Sequence, residues 1–196
     1  KLFNNAWRYI KFAVSNQFYA IANDFGLDFY RIHDAMTRNY PRARDFPKPG
    51  FAAGPCLLKD TMQLAAFNNN NFLLGHAAMM INEGLPNYVV SRLKNKIGLH
   101  GKTVGILGMS FKGDSDDIRD SLSFKLKKIL EIECDEVLCS DEFHKNPSYV
   151  SVDAVMKRSD IVIIGTPHSA YRTLAASDKP IIVDIWNITG HGRTIV

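Results

Sequence analysis

Apolar residues recur at helical spacing through the first hundred positions of this 196-residue chain. In the first run they fall three or four positions apart, at Phe3, Trp7, Ile10, Val14, Phe18 and Ile21. This spacing marks one face of an α-helix. We predict four helices, over Leu2 to about Asn23, Asp28 to Arg38, about Thr61 to Phe67, and residues 71–95, the last bent near Gly84 and Pro86.

After residue 100 the pattern changes from helical to strand-like. Four buried-type runs rich in β-branched residues alternate with helical segments, and they cover residues 103–108, 136–141, 160–165 and 179–185. Such alternation is typical of a parallel sheet with right-handed helical crossovers. The predicted fold is α/β, with an all-helical domain over residues 1–98 followed by a Rossmann-like parallel-sheet domain over residues 99–196.

A long loop, residues 39–58, separates the second and third predicted helices and contains the proline-rich segment NYPRARDFPKPG. Loops longer than about 12–15 residues are uncommon in compact domains and are usually functional or disordered. The apolar side chains of Phe46 and Phe51 disfavour disorder. We therefore predict a functional loop, which ends in PGFAAGPCLLKD, where glycines precede Cys56.

The composition excludes several classes of function. With 46% apolar residues and no apolar run of about 18 residues, the chain resembles soluble rather than membrane proteins, and we expect a cytoplasmic location. The net charge of +4 is small and its cations are spread out, which disfavours nucleic acid and favours a small polyanionic ligand. Neither the three cysteines nor the six histidines show metal-ligand spacing, so no metal site is predicted.

Cys56 is the first candidate for chemistry. Gly50 and Gly54 allow the backbone of its loop to approach a ligand closely, and Lys59 places a positive charge three positions after the thiol. The alternative is an inert, buried cysteine, which is the commonest fate of a free thiol. Asp60 has two interpretations that can coexist, a catalytic carboxylate and the N-cap of the third helix.

Lys112 and Arg119 follow the first strand, at the edge of the sheet where ligands of open parallel sheets bind. They flank a predicted helix N-terminus, whose free N–H groups favour anions, so the pair suits a phosphate or diphosphate. The alternative is that both are surface residues, with Arg119 paired to Asp116 or Asp120.

The first helix carries one further polar pair. Lys1 and Asn5 lie one helical turn apart, so they can present an ammonium and an amide to a single oxygen atom. The alternative is a solvated face, which almost any surface helix offers.

In order along the chain, these segments resemble the UDP-glucose/GDP-mannose dehydrogenase family. KLFNNAWRYIKF is similar to the family's central helix with its K-x-x-x-N pair, and PGFAAGPCLLKD to its glycine loop and C-x-x-K-D motif. TVGILGMSFKGDSDDIRDS is similar to its F-K and D-x-D-D-x-R-x-S signature, and KPIIVDIWNI to its last strand. Members oxidise nucleotide sugars to uronic acids in two NAD-dependent steps. The resemblance covers nearly the whole chain.

The resemblance implies a role for each motif residue. Cys56 would attack the C6 aldehyde, giving a thiohemiacetal and then a thioester that water hydrolyses. Lys1 and Asn5 would stabilise the oxyanion, and Asp60 would order or deprotonate the water. The remaining residues would bind ligands. Lys59 and Arg119 would bind the NAD phosphates. The nucleotide sugar would be bound by Phe46, Phe51, Gly54, Phe111 and Lys112, together with Arg42 or Arg44 of a neighbouring subunit.

The resemblance also implies what surrounds these residues. The family's amino-terminal NAD-binding domain is missing from this chain, so we expect the chain alone to be inactive. A homodimer is expected through the first helix and the helix over residues 71–95. One alternative is a nucleotide-binding dimerisation module without catalysis. Another is a hydroxyacid- or phosphogluconate-type dehydrogenase that shares the helical middle and needs no cysteine.

Two segments differ from the family pattern. The loop FAAGPC is one residue shorter and places Pro55 directly before Cys56, which stiffens the loop. The last strand continues as Asp184-Ile185-Trp186-Asn187, where the family often has D-G-R-N. The contact that the family's arginine makes with substrate is therefore in doubt here.

Overall fold

A computed structural model describes residues 1–174 and 179–190, and it has the predicted order of helices followed by alternating strands and helices. The helical part contains α1 (Leu2–Asp24), α2 (Phe29–Thr37), a 3-10 turn (Pro41–Ala43), α3 (Leu57–Phe67) and α4 (Leu73–Ile97). The sheet part contains β1 (Thr103–Leu107), α5 (Leu122–Glu133), β2 (Glu136–Ser140), α6 (Val152–Arg158), β3 (Ile161–Ile164), a 3-10 turn (Ser169–Thr173) and β4 (Ile181–Val183). The predicted α/β fold class is confirmed.

The four strands form one parallel sheet in the order β2-β1-β3-β4. From β1 the chain crosses to β2 on one side and then returns to β3 on the other side. This reversal opens a crevice at the carboxyl ends of β1 and β3, which is where open α/β sheets bind their ligands. The turn that carries Lys112 and Arg119 leaves the sheet at this point.

The largest apolar cluster among the described residues joins the helical part to the sheet part. Its buried side chains come from α1, α2, α4, the sheet and α5, and they include Tyr19, Phe29, Val89, Leu93, Ile106, Leu126 and Ile163. The predicted division into residues 1–98 and 99–196 stays a prediction, and positions 175–178 and 191–196 of the second part lie outside the described residues. Within the described residues, no helix is long and apolar enough to cross a membrane.

The apolar stripe that predicts α1 is not the face that α1 buries. Phe3 is 77% exposed and Trp7 is 57% exposed, and Phe18 and Ile21 are exposed as well. The buried face carries small, aromatic and polar residues instead: Ala6, Tyr9, Ala13, Ser15, Asn16, Tyr19, Ala22 and Asn23. The spacing therefore predicted the helix correctly. The exposed side chains of the stripe, which include Phe3, Trp7, Phe18 and Ile21, form an apolar seam on the surface of α1.

The start of α3 differs from the prediction. The helix begins at Leu57 rather than at about Thr61, and Cys56 is its N-cap residue. The backbone N–H of Asp60 donates to the carbonyl oxygen of Cys56 at 2.9 Å, so Asp60 already lies inside the first helical turn. The prediction that Asp60 caps this helix is wrong.

Candidate active site

The first turns of α1 and α3 meet at the carboxylate of Asp60. The Asp60 side chain is 2% exposed, and Asn5 Nδ2 donates to its Oδ2 at 2.6 Å. Lys1 Nζ lies 3.6 Å from the same oxygen. The structure thus brings together three of the residues that the sequence singled out. Asn5 and Lys1 both contact the Asp60 carboxylate, so they are not merely part of a solvated helix face.

Asp60 is held in its ionised form. The hydrogen bond from Asn5 lowers its pKa most strongly, burial opposes that shift, and the positive charges of Lys1 and Lys59 lower the pKa further. The result is a pKa below the usual range for aspartate. At neutral pH the side chain is therefore a buried carboxylate that accepts hydrogen bonds, with an ammonium and an amide beside it.

Cys56 lies at the amino end of α3, one helical turn before Asp60. Its side chain is half-buried, and the N-terminal end of a helix favours negative charge. The signature turn of the sheet part lies against the loop that leads to Cys56, because a Cβ added at Gly54 would be 2.6 Å from the Phe111 ring. Hydrogen bonds to Asp117 raise the pKa of Arg119 most, and the nearby Cys56 adds a smaller electrostatic contribution in the same direction.

The two other cysteines have different surroundings. Cys139 is 4% exposed, and burial raises the pKa of its thiol to about 11. Burial also raises the pKa of Cys134, whose Sγ donates to the carbonyl oxygen of Leu130 at 3.1 Å. Since the thiolate is the reactive form of cysteine, neither residue is suited to nucleophilic chemistry.

Two buried asparagines fix the loop that leads to Cys56. Asn16 Nδ2 donates to the carbonyl oxygen of Gly50 at 3.0 Å, and the Gly50 N–H donates to Asn16 Oδ1 at 2.8 Å. Asn82 Oδ1 accepts from Asn16 Nδ2 at 2.9 Å, and Asn82 Nδ2 donates to the carbonyl oxygen of Tyr9 at 3.0 Å. Sequence reasoning missed both residues. The apolar pattern gave no signal for Asn16, because it lies on the face of α1 opposite the apolar stripe.

The same loop packs against the sheet part through its glycines. Gly54 has φ +103, and a Cβ added there would lie 2.6 Å from the Phe111 ring. A Cβ at Gly50 would lie 2.2 Å from the ring of Trp186, whose Nε1 donates to the carbonyl oxygen of Gly165 at 3.2 Å. Both positions therefore require glycine, because the backbone of the loop lies directly on aromatic rings.

We expect Gly54→Ala to destabilise the fold by about 1–3 kcal/mol, because alanine is strained at this φ and its methyl group collides with Phe111. Thermal denaturation measures the change. Gly84→Ala is the matched control, since nothing lies within 4 Å of a Cβ there and α4 continues through that position. The control is expected to stabilise the protein by about 0.5–1 kcal/mol. Equal effects at the two sites would contradict the assignment of Gly54.

The predicted sugar-binding phenylalanines lie within the fold. Phe51 is 3% exposed in the apolar core. Phe46 is half-buried and stacks on His33 with ring centroids 5.6 Å apart, and its carbonyl oxygen lies 3.1 Å from His33 Nε2. Phe51 therefore leaves mainly its backbone for contact with a ligand, whereas Phe46 leaves its backbone and the open part of its ring.

The predicted cations lie on the surface. Lys112 is exposed, with Nζ 5.7 Å from the centroid of the Phe111 ring, and Lys59 is exposed in the first turn of α3. Arg42 is exposed on the 3-10 turn Pro41–Ala43. Among the described residues, no contact joins Arg42 to the group around Cys56.

Arg119 pairs with Asp117, not with Asp116 or Asp120. Its Nε donates to Asp117 Oδ1 at 3.0 Å and its NH2 group to Oδ2 at 2.7 Å. The backbone N–H of Arg119 also donates to Oδ1 at 3.0 Å, so an Asx turn folds this aspartate back over the arginine. The hydrogen bonds from Arg119 lower the pKa of Asp117 to about 2.

Sequence reasoning also missed a buried polar pair at the carboxyl edge of the sheet. Asp141 follows β2 and His168 follows β3. Both side chains are 0% exposed, and His168 Nε2 lies 3.2 Å from Asp141 Oδ2. The available signal was position, since Asp141 comes directly after a buried strand and His168 four residues after one, at the edge where this fold binds ligands.

Comparison with known proteins assigns both parts of the chain to one family. Residues 1–84 match the central domain of the UDP-glucose/GDP-mannose dehydrogenase family, and residues 105–191 match its UDP binding domain. The chain belongs to this family. The resemblance found in the motifs is thereby confirmed, and the matches fall on the helical part and on the sheet part that contains the signature turn.

Named relatives of this family are nucleotide-sugar dehydrogenases. The UDP-N-acetyl-D-mannosamine dehydrogenase of Methanocaldococcus jannaschii is 29% identical over 96% of the chain and 46% of the relative. The UDP-glucose 6-dehydrogenase of Bacillus subtilis is 27% identical over 94% of the chain and 47% of the relative. The solved UDP-glucose dehydrogenase of Pyrobaculum islandicum superposes with a TM-score of 0.84 and 27% identity, over 100% of this chain and 47% of that one. The chain thus spans about half the length of these relatives.

Proposed function

We propose that this chain is the central and carboxy-terminal part of an NAD-dependent nucleotide-sugar 6-dehydrogenase. It would oxidise the C6 hydroxyl of a UDP-sugar, UDP-glucose or a UDP-N-acetylhexosamine, to the carboxylate. The observation that carries the proposal is that Asn5 and Lys1 meet the buried Asp60 one helical turn from Cys56, within a family of nucleotide-sugar dehydrogenases. The names of the relatives support a UDP-sugar.

Cys56 is the nucleophile in this proposal. Its thiolate attacks the C6 aldehyde, a bond forms between Sγ and C6, and the carbonyl electron pair moves to oxygen to give a thiohemiacetal. An amide has two N–H donors, and Asn5 uses one of them on Asp60. The second N–H and the ammonium of Lys1 are the donors that stabilise the developing oxyanion.

The second oxidation removes a hydride from C6 and leaves a thioester on Cys56. Water then adds to the thioester, the carboxylate product leaves, and Cys56 is released as a thiolate. Asp60 orders this water as a hydrogen-bond acceptor and takes its proton as the new C–O bond forms. Because its lowered pKa makes Asp60 a weak base, its main contribution is to orient the water.

NAD would accept the hydride in each of the two oxidations. Two cations of this chain fit its phosphates: Lys59, exposed in the first turn of α3, and Arg119, exposed within electrostatic reach of Cys56. Arg119 gives Nε and one terminal nitrogen to Asp117, so its second terminal nitrogen is the one left for a phosphate. The other NAD contacts would come from the part of the relatives that this chain does not cover.

The nucleotide sugar would lie at the edge where the cysteine loop meets the signature turn. Phe111 and Lys112 of the turn would bind it together with the backbone of Gly54 and of Phe51, whose ring is buried, and with Phe46, whose half-buried ring stacks on His33. Arg42, exposed on its 3-10 turn, would reach the site of a neighbouring subunit.

A homodimer through α1 and α4 would cover the exposed apolar seam. Exposed apolar residues follow one another at three- to seven-residue steps along α1 and end at the residue directly after it: Phe3, Trp7, Val14, Phe18, Ile21 and Phe25. In α4, Leu73 and Met80 are 77% and 72% exposed. A groove of about 410 Å³ beside Trp7 is lined by apolar side chains of α1 and α3. Contiguous apolar surface of this kind marks a protein interface.

We expect Trp7→Glu to raise the dimer dissociation constant by at least about 100-fold, because it places a charge in the apolar seam. Sedimentation equilibrium measures the constant. Arg8→Glu is the control, since Arg8 is exposed on another face of α1 and should leave dimerisation within about two-fold of the original. A wild-type monomer, or an unchanged constant in Trp7→Glu, would refute this interface.

The test of the proposed function uses the full-length polypeptide that contains this chain. NADH formation is followed with a panel of nucleotide sugars, and one substrate is expected to yield two NADH per sugar together with a uronic acid. One NADH per sugar would refute the four-electron mechanism. UDP binding without NADH from any sugar would favour a non-catalytic nucleotide-binding module instead.

A further inference from the structure

The amides that follow β1 are already occupied by a carboxylate of the protein itself. Asp141 Oδ2 accepts from the backbone N–H of Met109 at 2.6 Å and of Ser110 at 3.1 Å. Asp141 Oδ1 accepts from the N–H groups of Phe143 and His144, both at 2.8 Å. In open parallel sheets the amides after the first strand commonly bind the phosphates of the ligand. Here the carboxylate of Asp141, the residue directly after β2, accepts from these amides instead.

His168 ties the same carboxylate to a second point of the turn. The backbone N–H of Asp114 donates to His168 Nδ1 at 2.9 Å, so Nδ1 is an acceptor and the proton of the neutral ring lies on Nε2. Nε2 then donates to Asp141 Oδ2 at 3.2 Å. The ring is enclosed by Phe143 and Tyr171, with centroids 4.9 and 5.4 Å away.

These two anchor points flank the residues that would bind the nucleotide. Phe111 and Lys112 lie between the bonds to Asp141 at residues 109–110 and the bond to His168 at Asp114. The N–H of Phe111 donates to the carbonyl oxygen of Asp117 at 2.9 Å, and Asp117 in turn holds Arg119. The position of all three binding side chains therefore depends on the turn being held at both ends.

The charge of Asp141 is compensated inside the protein. Burial alone would raise its pKa, but the hydrogen bond from His168 and those from the backbone N–H groups outweigh burial and hold the pKa far below its usual range. Because neither side chain is exposed to solvent, neither Asp141 nor His168 is placed to touch a substrate.

We propose that Asp141 and His168 are positioning residues that hold the 109–119 turn in its ligand-binding form. The diphosphate of the nucleotide sugar then binds to side chains of this turn, Lys112 first, and not to the amides of Met109 and Ser110. This inference deepens the proposed function and rests on it for the identity of the ligand.

The first test measures UDP binding to this chain by isothermal titration calorimetry. Asp141→Asn is expected to weaken UDP by at least about 10-fold, because an asparagine amide cannot accept all the N–H groups that the carboxylate accepts. Asp160→Asn is the matched control. Asp160 Oδ2 accepts from the Thr103 N–H at 3.0 Å at the opposite edge of the sheet, so its loss should leave UDP affinity within about two-fold.

Two conservative variants of His168 separate its two bonds. His168→Gln retains a donor near Asp141 and loses the acceptor for Asp114, whereas His168→Asn retains the acceptor and loses the donor. Each is expected to weaken UDP by about 3-fold to 10-fold, and His168→Ala by more than either. Unchanged UDP affinity in folded Asp141→Asn and His168→Ala would overturn the proposal, as would equal weakening in Asp160→Asn.

A measurement on the unmodified chain does not depend on any variant folding. On titration with UDP, the amide NMR signals of Met109 and Ser110 are expected to shift little, and the larger shifts are expected at Phe111 and Lys112. Dominant shifts at Met109 and Ser110 would overturn the proposal, because they would show that the diphosphate displaces Asp141.

If the chain does not bind UDP at all, the proposed function is contradicted. The positioning role of Asp141 and His168 is then tested by a measurement that needs no ligand. Hydrogen exchange of residues 109–119 decides it. The exchange is expected to be at least about 10-fold faster in Asp141→Asn than in the unmodified chain, and unchanged in Asp160→Asn. Equal exchange in all three proteins would overturn the positioning role.

Discussion

Cys56→Ser in the full-length polypeptide is expected to lower steady-state formation of the uronic acid by on the order of 1,000-fold or more. A serine hydroxyl is almost never ionised at neutral pH, so it cannot replace the thiolate that, in the proposed mechanism, attacks the aldehyde and carries the thioester. Product carboxylate, rather than NADH, is the quantity to measure, because the first oxidation does not require the nucleophile.

Cys134→Ser is the matched control for this substitution. The Cys134 Sγ donates to the carbonyl oxygen of Leu130, and a serine hydroxyl can make the same bond, so activity should stay within about two-fold. Near-normal uronic acid formation by Cys56→Ser would contradict the nucleophilic role. It would favour a dehydrogenase that needs no cysteine.

Asp60→Asn is expected to slow hydrolysis of the thioester by about 100-fold to 10,000-fold, because the substituted amide can neither take a proton from water nor orient it as strongly. The asparagine oxygen can still accept from Asn5, so the surrounding contacts are retained. Substrate should then accumulate as an acyl group on Cys56. Intact-protein mass spectrometry measures this adduct, expected at one per chain.

Asp45→Asn controls for the loss of an aspartate beside a lysine. Asp45 lies 3.0 Å from Lys11, and a hydrogen bond from Lys11 lowers its pKa, but the pair is exposed and apart from the cysteine. We expect no adduct and normal turnover. Loss of activity in Asp60→Asn without any adduct would place Asp60 at an earlier step than hydrolysis.

The structure shows where the two segments that differ from the family pattern lie, the loop with Pro55 and the segment with Trp186 that follows the last strand. Pro55 precedes Cys56 without removing it from the start of α3, and Gly54 still reaches the Phe111 ring. Trp186, where the family often has an arginine, lies against Gly50 of the cysteine loop. We infer that the indole supports the loop on which Cys56 is carried, in place of a contact with the sugar.

Local patterns predicted most of the fold. Apolar spacing located the helices, β-branched runs located the strands, and the C-x-x-K-D and D-x-D-D-x-R-x-S motifs located the candidate site. These signals are contained within a few neighbouring residues, so one sequence is enough to detect them. The parallel direction of the strands followed from their alternation with helices.

What the sequence could not predict depends on contacts between distant segments. The buried face of α1 is defined by α3 and α4, which is why its apolar stripe proved to be exposed. Asn16 and Asn82 are recognisable as a pair only once two helices meet, 66 positions apart. Asp141 and His168 are joined only when β2 and β3 lie on either side of β1.

Alkylation of the chain by iodoacetamide tests whether Cys56 lies at a nucleotide-sugar site. Peptide mapping should show Cys56 modified well before Cys134 and Cys139, and saturating UDP-glucose or a UDP-N-acetylhexosamine should slow its modification by at least about 10-fold. If Cys56 reacts no faster than the two other thiols, or if no nucleotide sugar protects it, Cys56 does not lie at the substrate site.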